Sequence, residues 1–285
     1  MILYQYYNAD ILEVPSGDHE SASAYVDDAI LVAADKDFTG THNILADMMK
    51  RKGGAIEWST KHNSKFEFSK LALIDFAHRN CKKERPNLEL PDITITPTQS
   101  TKYLGVFLDQ HLSWNTHTAH TIKKGADWSS RIRRAVAPTW GLTPIHKRKM
   151  FISVALPKIL YAVDVWGIPK PIEGIVAHKR GTSGMVTKLT STQRAGALAV
   201  TEGLRTTPTD VLDLHAFIMP LHLEIDKACH RAASRLATLP PSHPLYILAR
   251  LCANPRTKRH RSPLHQLMQT YVVRPQETET ISPAP

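Results

Sequence analysis

Two aspartates in a row, Asp27 and Asp28, stand between the short apolar runs Ala24-Tyr25-Val26 and Ala29-Ile30-Leu31-Val32. In an extended strand, neighbouring side chains point to opposite faces, so adjacent aspartates inside a strand cannot serve one site. At the tip of a tight hairpin the alternation breaks, and turns favour Asp for its short polar side chain. The stretch therefore predicts a β-hairpin over residues 21–34 with two carboxylates at its tip. Such a tip can supply half of a Mg²⁺ site, because Mg²⁺ prefers hard oxygen ligands. It equally suits an ordinary polar turn.

The rest of the chain must decide between these. At 285 residues it can form one large domain or two small ones. A hydrophobic fraction of 42% is enough for a core and excludes global disorder. Lys and Arg number 36 against 26 acids, a net +10 that suits a polyanion partner, although a basic protein without one has the same balance. Cys81, Cys229 and Cys252 are scattered and form no C-x-x-C pair, which excludes a disulfide framework and favours a reducing compartment. The histidines of His117-Thr-Ala-His120 have no cysteine or acid at zinc spacing and read as surface or first-turn residues. No apolar run approaches the ~20 residues of a membrane span. The amino terminus lacks a basic n-region and cleavage site, so the expectation is an intracellular protein of the nucleus or cytoplasm, not secreted.

Apolar spacing predicts a helix over residues 1–14, ended by Pro15-Ser16-Gly17-Asp18. A second amphipathic helix is expected over residues 41–56, broken or kinked by Gly53-Gly54. Residues 66–76 alternate loosely and suggest a strand; 81–91 read as a loop. Asp92-Ile93-Thr94-Ile95-Thr96 alternates clearly, and Thr101 to Asp109 follows as a second strand; the two are expected to pair as a hairpin whose connection contains Pro97. Ser113 can cap a helix through about Val136, rich in Lys123, Lys124, Arg131, Arg133 and Arg134 against one acid, Asp127. Thr143-Pro144 starts a helix to about Trp166 that opens with His146-Lys147-Arg148-Lys149. Residues 167–184 read as a linker or long loop. A helical unit follows, with Thr207-Pro208-Thr209-Asp210 as one cap and a helix after Pro220 facing Leu221, Ile225, Cys229, Ala232, Ala233 and Leu236 to a core. Pro240-Pro241 stops it, and the tail beyond Val273 is expected to be disordered.

Several of these stretches carry a resemblance in a fixed order. Tyr25-Val26-Asp27-Asp28 resembles the aromatic-x-Asp-Asp box of reverse transcriptases, and Tyr7-Asn8-Ala9-Asp10 the helix two elements earlier. His62-Asn63-Ser64-Lys65-Phe66-Glu67 resembles the Asn-x-x-Lys-Thr-Glu segment of non-LTR retrotransposon enzymes, with His and Phe as departures. Tyr103-Leu104-Gly105-Val106-Phe107-Leu108-Asp109, with Leu112-Ser113-Trp114 and His117, is similar to the family's primer-grip region. Leu204 to Pro208 and His230-Arg231-Ala232-Ala233 resemble the connection that follows the polymerase. The ordered set spans nearly the whole chain and is more specific than any one motif.

The resemblance implies an α+β fold: a partial reverse-transcriptase palm (Asp-Asp hairpin, helix, second β-hairpin), then a mainly helical thumb and connection. The implied domains are 1–110 partial palm, 111–170 thumb-like helices, 171–184 loop, 185–272 connection and 273–285 tail. The implied activity is RNA-directed DNA polymerisation, with Asp27 and Asp28 catalytic and Mg²⁺-binding. Two Mg²⁺ ions steady the attacking and leaving oxygens of such a transfer. Tyr25, Lys65 (alternatively Lys70), Tyr103, Leu104 and Gly105 would face nucleotide or primer. Either lysine also reads as an ordinary solvated side chain. Lys123, Lys124, Arg131, Arg134, Lys147, Arg148 and Lys149 would meet the nucleic-acid backbone. Implied partners are an RNA template, a DNA primer and deoxynucleotides, with no membrane. In the family a further catalytic Asp lies on a strand upstream of the hairpin, so this polypeptide is expected to be inactive alone; the alternative is a non-catalytic remnant that grips a primer–template duplex. An unpaired sheet edge beside Ala29 to Val32 predicts self-association.

Overall fold

The computed structural model describes residues 2–91, 93–137, 140–167, 183–254 and 262–281. They are a mixture of helices and small antiparallel ladders, compatible with an α+β class. The chain divides into two compact units, 1–117 and 118–285.

In the first unit, α1 (Ile2–Tyr7) gives way at Asn8 to a 3₁₀ turn, Ala9–Glu13, so the single helix expected over 1–14 is interrupted. The expected hairpin forms: β1 (Glu20–Tyr25) pairs antiparallel with β2 (Asp28–Ala33) in a register that sets Tyr25 opposite Asp28 and Ser23 opposite Ile30. α2 (Phe38–Lys50) starts on Asp37, whose Oδ1 accepts from the Gly40 N–H at 2.8 Å. It stops before Gly53, which takes φ +76°, and α3 (Ala55–Lys61) carries Ile56 on a separate helix. The two-glycine break thus separates two helices, as its chemistry predicts.

Residues 66–76 do not form the expected strand. A 3₁₀ turn covers Phe68–Lys70, and one parallel bridge joins Leu73 to Pro97. Isolated backbone bonds hold the segment, with the Thr98 N–H donating to Leu73 O at 2.8 Å, and so does a side-chain contact: buried His42 of α2 meets Asp75 at 2.8 Å. The expected pairing of 92–96 with 101–109 is also replaced. β4 (Thr94–Ile95) turns back onto β3 (Leu88–Glu89), within the stretch read as loop, and Asp92 lies outside the described residues. Residues 101–109 fold on themselves as β5 (Ser100–Tyr103) and β6 (Val106–Asp109). Leu104 and Gly105, at φ +45° and +84°, form the two-residue turn. Positive φ at both central positions is the signature of a type I′ turn, whose twist suits a two-residue hairpin. Gly105 is therefore a turn glycine rather than a mid-strand one.

The core of this unit gathers Ile11, Val14, Met48, Met49, Ala55, Trp58, Leu73, Leu88 and Leu90, with Leu31 of the hairpin packed against it. A second fastening joins Glu20, at the foot of β1, to Arg51 just past α2. Asp109 closes the unit: its Oδ1 accepts from the His111 and Ser113 N–H groups, both at 3.0 Å, and its Oδ2 from the Trp114 N–H at 2.9 Å. It, rather than Ser113 alone, organises the approach to α4 (Asn115–Arg134).

The second unit is mainly helical, with one small ladder, β7 (Val136–Ala137) and β8 (Trp140–Gly141). α5 (Pro144–Met150) widens into a π-helical turn, Phe151–Ala155, before α6 (Leu156–Ile159). Pro157 explains the widening, since its ring crowds the carbonyl four residues back and it donates no hydrogen bond. Ala162 takes φ +54°, ending the expected continuous helix before α7 (Val163–Trp166). α8 (Ser183–Thr201) approaches its neighbours through glycines. A Cβ at Gly196 would sit 2.1 Å from Phe151, and one at Gly125 of α4 would sit 2.0 Å from Thr192. α9 (Thr209–Ala216) follows Pro208, and α10 (Leu221–Ala237) buries Leu221, Ile225, Cys229, Ala232 and Ala233 as its spacing predicts. α11 (Tyr246–Ala253) and α12 (Pro263–Thr270) complete the unit. The expected loop 171–184 lies almost wholly outside the described residues, as do residues 255–261, and 282–285 of the tail. In the rest of the tail the Ile281 N–H donates to Thr238 O at 2.9 Å.

Candidate functional site

The first unit places the two aspartates where the sequence predicts. Val26 and Asp27 are the turn residues, and Asp28 is the first residue of β2. Val26 takes φ +59°, a left-handed conformation that a β-branched residue adopts only when its surroundings impose it. With positive φ at the first turn position alone, the turn has the sense of type II′, which ordinarily takes Gly there. Both carboxylates are exposed.

The ladder sorts the hairpin into two faces. Ser23, Tyr25, Asp28 and Ile30 share one; Ala22, Ala24, Ala29 and Leu31 share the other, which covers the core through Leu31. A cleft of about 700 Å³ opens beside the turn, and its lining includes Asp27, Asp28, Ala29, Leu31, Lys65 and Lys70. Both candidate lysines thus share one cleft with both candidate aspartates, although they are separated from them by about forty residues of chain. The segment bearing Lys65 is fastened on its other side by aromatic packing. Trp58 stacks on His62 at 4.9 Å and on Phe66 at 5.8 Å, and the Ser59 hydroxyl donates to Ser64 O at 2.8 Å.

Tyr103 stands at the opposite face of the hairpin. Burial is the main cause of its raised phenol pKa; the Asp28 charge adds to it, and the Ser23 hydroxyl beside the phenol pulls the other way. The second hairpin therefore reaches the first through Tyr103, the residue before the Leu104-Gly105 turn. Tyr25 is 57% exposed and is not among the cleft-lining residues. Among the described residues, no group of three His, Cys, Asp or Glu side chains gathers to hold a metal.

The basic residues of the second unit divide by burial. α4 turns Thr118, Thr121, Ser129 and Ile132 inward and leaves Lys123, Arg131, Arg133 and Arg134 exposed, with Lys124 half-buried. On α5, Lys149 is exposed, but Lys147 is 1% exposed and ion-paired to Glu202. Arg148 donates through Nε and Nη2 to Phe217 O at 3.0 and 2.8 Å. Lys147 and Arg148 thus tie helices together. The basic run 147–149 carried no sign of this, because a long side chain can turn inward wherever a carbonyl or carboxylate awaits it. Sequence reasoning also passed over Lys158 of α6, whose Nζ lies 4.5 Å from the centre of the Trp128 ring. It missed Arg51 too, whose role depends on a carboxylate thirty-one residues away.

Among the described residues, no helix is long and apolar enough to cross a membrane. No family model matches the chain. No solved structure matches it. Two curated relatives are similar over part of its length. One is the RNA-directed DNA polymerase from mobile element jockey of Drosophila funebris, 26% identical over 112 residues, which is 39% of this chain and 12% of the relative. The other is the protein of the same name from Drosophila melanogaster, 27% identical over 114 residues, again 39% of this chain and 12% of the relative. The match thus spans about an eighth of the length of those relatives. Over about two fifths of its length, then, the chain is similar to RNA-directed DNA polymerases of the jockey mobile element, in accord with the resemblance carried by its motifs.

Proposed function

We propose that this chain is a palm-and-thumb portion of an RNA-directed DNA polymerase of a LINE-type, non-LTR retrotransposon. Its Asp27-Asp28 turn is one side of the polymerising site. The observation that carries this reading is the meeting of the turn with Lys65 and Lys70 in one cleft, while Tyr103 approaches Asp28 from the other hairpin. Two stretches distant in sequence, residues 65–70 and the hairpin carrying Tyr103, converge on two exposed carboxylates, which an ordinary polar turn does not require.

The residues present fit part of a divalent-metal site. Mg²⁺ is held by one or two carboxylates, with substrate phosphates and waters completing its octahedron. When bound, the metal supplies charge stabilisation to the attacking and leaving oxygens of phosphoryl transfer. The chain's own part is to present Asp27 and Asp28 as hard-oxygen donors from one turn. Lys65 or Lys70 offers a cation to a nucleotide's phosphates in the same cleft. Two carboxylates of one turn repel each other unless a cation lies between them. Glu67 also lines the cleft, but among the described residues no three acidic, histidine or cysteine side chains gather closely enough to hold a metal. On this reading the 285-residue polypeptide extends no primer by itself.

Primer extension on an RNA template with Mg²⁺ tests this. The purified chain extends no primer. Extension that disappears with Asp27→Ala overturns the claim of incompleteness. A second reading, a remnant that grips a primer–template duplex without chemistry, draws on the exposed cations of α4. It predicts binding that weakens steeply with salt, since each phosphate contact releases counterions.

A further inference from the structure

Two cations converge on one indole in the second unit. Trp128 of α4 is half-buried and packs against the cluster around Ile132 and Phe151. Arg131, one turn along α4, places its Cζ 5.4 Å from the centre of the Trp128 ring. Lys158, from α6, places its Nζ 4.5 Å from the same centre. Both distances lie within the range in which the negative face of an aromatic ring attracts a cation.

The pairing is unusual for its lack of an anion. Arg131 and Lys158 are both exposed, and no carboxylate lies within ion-pair distance of either among the described residues. Asp127 stands four residues before Arg131, the spacing that forms helical ion pairs, yet the guanidinium sits on the ring instead. Lys124 lies four residues before Trp128 and adds charge to the same side of the helix. Both cations lie close to one ring centre, so an anion drawn to this part of the surface meets positive charge from each. The ring is engaged by the cations, so the seat suits a phosphate rather than a stacked base.

We propose that Trp128, Arg131 and Lys158 form a seat for one backbone phosphate of a nucleic-acid strand. The seat rests on the nucleic-acid reading above and adds to it Lys158, which no basic run in the sequence marks, and Trp128, a positioning residue without charge. Trp128 positions both cations by drawing them to its ring.

The test is fluorescence anisotropy of a labelled DNA primer annealed to an RNA template, titrated with the full chain at several salt concentrations. Lys158→Gln and Arg131→Gln each weaken binding roughly five- to tenfold at low salt. Each also lowers the log–log salt slope, and the double variant lowers it by about one, as expected for one lost phosphate contact. Lys158→Arg retains affinity. Trp128→Leu weakens binding although no charge is removed, an effect that simple charge counting does not predict. Lys158→Gln lies on the exposed surface and tests the seat even if Trp128→Leu fails to fold. If the wild-type chain binds and Lys158→Gln binds equally with an unchanged slope, the seat is wrong while the nucleic-acid reading stands. If the wild-type chain does not bind at all, both fall.

Discussion

Arg51 grips Glu20 with both terminal nitrogens: Nη1 donates to Oε1 at 2.8 Å and Nη2 to Oε2 at 2.6 Å. Glu20 opens β1, so the clamp fastens the base of the hairpin whose tip carries Asp27 and Asp28. The same guanidinium also donates to Val14 O and to Asp47 at 3.1 Å, joining three elements at one point. The Arg51 hydrogen bonds, with help from the Ser16 N–H and against the effect of burial, draw the Glu20 carboxyl down from 4.5 to about 2.

A folded-state value below the ordinary one means that this stabilisation is complete above pH 4.5 and is lost as pH falls toward about 2. Urea unfolding across that window should show the wild type losing stability with acid while Glu20→Gln shows a flatter response. At neutral pH, Arg51→Ala should cost roughly 2 kcal/mol, the range for hydrogen bonds to a charged group. Equal acid responses in wild type and Glu20→Gln contradict the clamp.

Gly196 is a helix position at which alanine should do harm. Alanine is favoured over glycine in a helix interior by ~1 kcal/mol. Here the new Cβ would lie 2.1 Å from Phe151 Cε2, on a ring with 0% exposure and nowhere to move. Overpacking of that kind costs roughly 1–3 kcal/mol and should outweigh the propensity gain. Gly196→Ala should therefore lower the chemical-denaturation midpoint, and adding Phe151→Leu should recover part of the loss. A more stable Gly196→Ala protein rules out this packing of α8.

The hairpin's ladder ends after two strands, with β1 and β2 each paired only to the other among the described residues. Val32, on β2, is 45% exposed. An unpaired strand with an apolar surface recruits other chains, and lysine on such a strand discourages it. Sedimentation velocity should show concentration-dependent self-association that Val32→Lys reduces. A monomer at all concentrations in the wild type contradicts this.

The parts of the fold that could be read in the sequence are those set by local chemistry. The Asp27-Asp28 hairpin, the break at Gly53-Gly54 and the buried face of α10 each follow from neighbouring residues. Residues 66–76 misled because loose alternation suggests a strand, whereas the segment is held by a distant partner, His42 on Asp75. The 101–109 stretch misled because its apolar run hides a turn that only the positive φ of Leu104 and Gly105 reveals. In the candidate site, the residue types were legible and their convergence was not. Lys65 and Tyr103 were singled out by motif, but nothing in the spacing shows that one shares the Asp27 cleft while the other approaches Asp28 from the opposite face. Lys147 shows the converse, a basic residue drawn inward by Glu202.

The most direct measurement joins this chain to the amino-terminal polymerase segment of a jockey RNA-directed DNA polymerase and assays primer extension on an RNA template. The account predicts extension by the chimera, its loss with Asp27→Ala, and none from the 285-residue chain alone. A chimera that binds the duplex as tightly as the parent enzyme yet extends no primer, or one whose extension survives Asp27→Ala, contradicts it.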